Sequence, residues 1–178
     1  LMSLLARIED NHDLRVLDEM GFVLGQIGPA VIPAAKQYLA DAGHEDYARA
    51  TAAEALRHVA ECHPELRAVC LAPVCAQLEQ YQTNSKNLNE LLVLTLLNLR
   101  AVEAAPVLEK VFAAGIIDED LAGGWEGAQI ELGLKLIPDR PRPPNPALEQ
   151  VLAFYSALAG RKHFARRQRS PRKHRCWK

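Results

Sequence analysis

Threonine occurs three times in 178 residues, and aromatic residues make up only 6%. Strands draw on β-branched and aromatic side chains, so a sheet protein is disfavoured from the outset. No apolar run reaches the length of a membrane span; the most apolar stretch, Leu91 to Leu97, is far too short. The opening LMSLLARIEDNHD places acids where the apolar core of a secretory signal would continue. No G-x-S-x-G, phosphate loop or H-E-x-x-H motif is present, and the four cysteines follow no paired C-x-x-C spacing. What the sequence does hold is 26 leucines and 27 alanines, the best helix formers among apolar residues. Half the chain is hydrophobic (49%), enough for one domain with a core. The expectation is an all-α, cytoplasmic protein with thiols rather than disulfides, no cofactor and no membrane contact.

The net charge of -1 conceals a division. Residues 161–178 carry nine Lys/Arg and no acid, while residues 1–160 hold all 22 acids and the other 12 bases, for -10. An acidic body joined to a basic tail points to contact with an anionic partner, with nucleic acid or with the body itself.

Three prolines share a context: Pro33, Pro73 and Pro106 each have apolar residues at positions -2, -1, +1, +2 and +5. Proline is tolerated in a helix's first turn, so each is expected to open a helix. Leu24, Leu56 and Leu97 anchor the preceding helices; Leu24 to Leu97 and Pro33 to Pro106 both span 73 residues, a mean period of about 36. The spacing predicts helices over 1–9, 13–27, 30–41, 45–61, 65–81 (broken near Pro73), 87–99, 102–114, 119–132 and 146–159. The expected organisation is a repeat domain over 1–137, a linker over 138–146 with five prolines, a helix over 147–160 and a basic tail over 161–178. Helix 87–99 is apolar all round and should form the centre, between the second repeat and helix 119–132. Gly21 and Gly25 stand four apart in helix 13–27, the spacing for close approach of a neighbour.

Leu24-Gly-Gln-Ile-Gly-Pro-Ala-Val-Ile-Pro33 resembles the helix–turn–helix junction of HEAT-like repeats, including the short HEAT repeats shared with phycobilin lyases. Arg49-Ala-Thr-Ala-Ala-Glu-Ala-Leu56 resembles the first helix of that unit, and Ala101 to Pro106 resembles the turn again. With Gly124 to Gly133, these segments are similar to bacterial HEAT-repeat proteins of unknown function over roughly residues 13–140. The resemblance implies an α-solenoid of about three helix pairs plus C-terminal helices. It also implies a scaffold or adaptor that binds a protein partner; it carries no catalytic motif.

Two other readings stand beside the scaffold: a nucleic-acid-associated protein acting through the tail, and a chromophore-lyase-like enzyme. The candidate partner contacts are Trp125, Lys36 and Lys110 on the helices. In the tail they are Arg166, Arg167, Arg169, Arg172, Lys173, Arg175 and Trp177, bases beside an aromatic that suit phosphate contact with stacking. His58, Cys62, His63, Cys70 and Cys75 lie close in sequence, but Cys75 falls at an apolar repeat position and reads as core, not as a metal ligand. Asp118, Glu119 and Asp120 read as caps of the helix that follows. Leu1, Leu4, Leu5 and Ile8 give the first segment an apolar stripe, from which self-association through the N-terminal end is expected.

Overall fold

The computed structural model describes residues 14–118 and 120–136, which lie in one compact unit ending at Leu136. They are helical, with no strand among them: α1 (Leu14–Gln26), α2 (Ile32–Ala40), α3 (Asp46–Cys62), α4 (Arg67–Leu78), α5 (Lys86–Asn98), α6 (Ala105–Ala113) and α7 (Gly124–Glu131). None is long and apolar enough to cross a membrane. Short 3-10 turns at Gly28–Val31, Pro64–Leu66 and Val102–Ala104 lead into α2, α4 and α6. The N-terminal stripe, the proline-rich segment, the helix expected after it and the basic tail fall outside the described residues.

Helices α1, α3 and α5 lie side by side and run parallel. Gly21 faces Glu54 and Gly25 faces His58, so α1 and α3 advance together. Ser85 Oγ donates to Asp46 Oδ2 (2.5 Å), and Thr95 Oγ1 donates to Glu54 Oε1 (2.7 Å), so α3 and α5 do the same. Behind them α2 packs on α4, and α7 touches both α5 and α6. The three front helices end at Gln26, Cys62 and Asn98, 36 residues apart each time. This spacing aligns Leu24, Ala60 and Leu96, all buried, rather than Leu24, Leu56 and Leu97.

The centre is α3, not α5. It contacts α1, α2, α4 and α5, and its alanines 48, 52, 53, 55 and 60 are buried with Leu56 and Val59. Small side chains let neighbours approach from every side, which an all-leucine surface does not. Helix α5 has the neighbours expected of it but retains one uncovered flank, where Leu94 is 38% exposed. Its N-terminus is capped by Ser85, whose Oγ accepts from the Leu88 N–H at 3.0 Å.

Pro33 and Pro106 open α2 and α6 as expected. Pro73 does not open a helix: α4 begins at Arg67 and runs through it without a break. A mid-helix proline frees the carbonyl four residues earlier. Here that residue is Val69, which lies on the solvent side of α4 and is 55% exposed. The connection before the second helix is therefore of similar build in the first two units, with Pro29 second in one 3-10 turn and Pro64 first in the other.

Two arginines close helix C-termini. Arg49, buried, donates from Nε to the Leu39 carbonyl at 2.9 Å, which would otherwise lack a partner at the end of α2. Arg67 reaches the Leu99 and Arg100 carbonyls beyond α5 and pairs with Glu103 at 2.8 Å. There Arg100 takes φ +49, and the Ala101 N–H returns to the Leu96 carbonyl. This ends α5 in a left-handed cap and sends the chain into α6.

Candidate interaction groove

Parallel neighbours leave a trough wherever the side chains between them are short. Between α3 and α5 this trough has a volume of about 240 Å³. Tyr47, Ala50, Thr51 and Glu54 line one side; Leu91, Leu94, Thr95 and Asn98 line the other. Each set follows the i, i+3, i+4, i+7 spacing of a single helical stripe. Ala50, Thr51 and Thr95 are buried at the floor, while Tyr47 and Leu94 stand exposed on the rims. Thr95 Oγ1 has one proton and two acceptors within reach, Glu54 Oε1 at 2.7 Å and the Leu91 carbonyl at 3.0 Å.

The far end of the trough carries a charged cluster on α3. Arg57 donates from Nε to Glu54 Oε2 at 2.7 Å and from Nη1 to Glu61 Oε1 at 2.5 Å. Its Nη2 stands 2.9 Å from His58 Nε2. A guanidinium only donates, so Nε2 accepts and the proton of the neutral ring lies on Nδ1, 3.4 Å from Glu61 Oε2. Burial raises the Glu61 pKa, but the bonds from His58 and Arg57 and the Arg57 charge outweigh it and hold the carboxyl below its usual range. The His58 ring meets Phe22 of α1 edge-on at 5.2 Å. At the near end, Asp46 accepts from Ser85, and Glu90 lies within 3.6 Å of Lys86. One arginine between two glutamates, together with Asp46, Glu90 and Lys86, leaves the groove's surroundings acidic.

Of the residues expected from sequence to meet a partner, the three on the described helices are not gathered at this groove. Lys36 is exposed on α2 and Lys110 on α6. Trp125 is half-buried in the first turn of α7, packed on the core with its ring 5.9 Å from Phe112. The tail residues lie outside the described residues. Asp118 and Asp120 do not cap α7. The cap position is Gly123, in left-handed backbone, and Asp118 instead lies 3.5 Å from Lys86 and receives a bond from no helix end. The Ala122–Gly123–Gly124 reversal, with positive φ at all three, sets the start of α7 away from the acids; Glu119 lies outside the described residues.

Cys70 is buried and Cys75 half-buried, both as free thiols. Burial pushes both thiols up; at Cys75 the Glu79 and Glu103 charges add to it, so neither is poised as a thiolate. Cys62 is disulfide-bonded, which corrects the expectation of thiols throughout. Among the described residues no group of His, Cys, Asp and Glu is arranged to hold a metal ion.

Tyr47, Ala50 and Leu94 were not among the sequence candidates. The all-round apolarity of α5 bears on Leu94 alone; nothing in the pattern of α3 singled out Tyr47 or Ala50. A helix with apolar residues on every side and neighbours on only some of them must leave one apolar stripe facing out. No family model matches the chain, and no curated protein or solved structure shows significant similarity to it.

Proposed function

We propose that this chain is a protein-interaction scaffold, a short HEAT-like solenoid that binds a macromolecular partner across its front helices. The observation that carries this reading is the mostly apolar groove between α3 and α5, edged by exposed Tyr47 and Leu94. Paired helix layers present broad, shallow surfaces of this kind, which suit a protein surface better than an enclosed small molecule. The parallel run of α1, α3 and α5 and the 36-residue interval between their ends support the repeat reading.

The test is site-specific photo-crosslinking in cells that contain the protein. A photoreactive residue at Leu94 is expected to yield a discrete protein adduct. The same residue at Val69, which is exposed on α4 away from the groove lining, is expected to yield none. Adduct formation at Val69 and not at Leu94 would overturn the assignment of the binding face.

A further inference from the structure

Resting on the scaffold reading, we infer that the α3–α5 groove is built to receive one apolar side of a cationic amphipathic helix from a partner protein. Three features lead there. The groove walls are two helices whose backbone groups are already bonded within themselves, so an extended peptide laid between them would find no ladder for its own N–H and C=O groups. A helical segment satisfies its own backbone and needs only side-chain contact. The length fits as well. Residues 47–54 and 91–98 each cover about two turns, roughly 10 Å at 1.5 Å per residue. That length accepts two or three apolar side chains spaced i, i+3, i+4 between Tyr47 and Leu94. Charge then selects the partner's sign. Asp46 and Glu90 stand at the near end, where Lys86 pairs with Glu90, so acids exceed bases there by one. Glu54 lines the groove itself, and Glu61 shares the single Arg57 with it. Lys or Arg on the flanks of an incoming helix meet complementary charge, while Asp or Glu would be repelled.

The geometry also separates this groove from the rest of the front surface. At the α1–α3 seam, Cβ atoms added to Gly21 and Gly25 would lie 2.7 and 2.4 Å from Glu54 and His58 Cβ. That seam has no room for an inserted side chain.

The experiment uses the full chain and three fluorescent synthetic peptides of about 18 residues, long enough to form about five helical turns. One carries leucine on one face and lysine on the other. The second keeps lysine and replaces leucine by serine. The third keeps leucine and replaces lysine by glutamate. Anisotropy titrations are expected to show the Leu/Lys peptide binding at least about tenfold more tightly than either control, a tenfold step being the smallest that reads cleanly as lost interaction. Leu94→Asn is expected to weaken that binding by about tenfold or more, and Val69→Asn to leave it unchanged. Circular dichroism of both variants keeps a folding defect from passing for a binding defect. Equal binding of the Ser/Lys peptide would show generic attraction to an acidic body and would overturn the inference, as would equal binding to wild type and Leu94→Asn. If Leu94 crosslinks a protein in cells but the Leu/Lys peptide fails to bind, the scaffold face stands and the cationic-helix inference falls. If neither occurs, both fall.

Discussion

Two seams join the same three parallel helices, and they are built from opposite materials. Between α1 and α3, Gly21 and Gly25 let the backbones approach until an added Cβ would lie 2.7 Å from Glu54 Cβ or 2.4 Å from His58 Cβ. Between α3 and α5, alanine and threonine form the floor while Leu91 and Leu94 on α5 and Tyr47 on α3 stand at the edges. No glycine allows that seam to close, so it retains a groove. Each glycine costs its helix about 1 kcal/mol against alanine, a cost that α1 carries and α5 avoids. In a stacked array of parallel helices, side-chain size at the seam thus decides whether a surface is sealed or left available to a partner.

The largest effect is expected beneath the open seam. Leu92 is fully buried in α5, and Leu92→Ala should cost about 2–5 kcal/mol by the usual cavity penalty. Glu109, exposed on α6, should cost under about 0.5 kcal/mol when changed to alanine. Urea titrations that gave equal costs would show that the floor of the groove is not the core it is taken to be.

Enlarging one residue in each seam sharpens the contrast directly. Gly25→Ala forces an overlap with His58 worth about 1–3 kcal/mol of strain, offset by about 1 kcal/mol of helix propensity. The net loss should be about 0–2 kcal/mol. Ala50→Leu in the open seam has the groove volume to grow into and should cost under about 1 kcal/mol. If Ala50→Leu proves the more damaging of the two in thermal melts, the seams are not closed and open as described.

Thr95→Val keeps the shape of the floor and removes one hydroxyl. It deletes the bond to Glu54 Oε1, leaving that oxygen without a protein donor among the described residues. The expected loss is about 1 kcal/mol, read by denaturant midpoint. A cost of zero would mean that Arg57 alone holds Glu54 in place.

How far these seams were legible in the sequence differs between them. The closed seam was: two glycines four apart in an otherwise apolar helix have few uses besides close approach, and Gly21 and Gly25 serve it. The open seam was not. The periodicity of α5 showed apolar residues on every side, and burial of them all was the natural expectation, but sequence does not say which stripe a neighbour will cover. The alanine-rich pattern of α3 likewise hid its position at the centre, because alanine marks close packing less visibly than leucine marks bulk. Pro73 misled for a local reason. A proline's effect on a helix depends on the surroundings of the turn before it, and here that turn holds Val69 on the exposed side of α4.

The smallest expected effect concerns the polar strap on the closed seam, where Arg57 joins Glu61 while His58 lies against Phe22. The Glu61 carboxyl is held below its usual range despite partial burial, because the bonds from His58 and Arg57 outweigh the burial. A carboxyl whose folded pKa is depressed stabilises the fold fully above its unfolded value, about 4.3, and loses that contribution as pH falls through the lower folded value. Glu61→Gln should therefore destabilise the protein at pH 7 by less than about 1 kcal/mol, as befits a partly exposed pair. The difference from wild type should shrink toward zero as the pH is lowered to about 2, where both side chains are neutral. Urea midpoints for the two proteins across that range give the answer. A gap that persists at acid pH would show that Glu61 acts through packing against His58 and not through charge. The closed seam would then depend on side-chain shape alone, whereas the Ser85–Asp46 and Thr95–Glu54 bonds cross the open one.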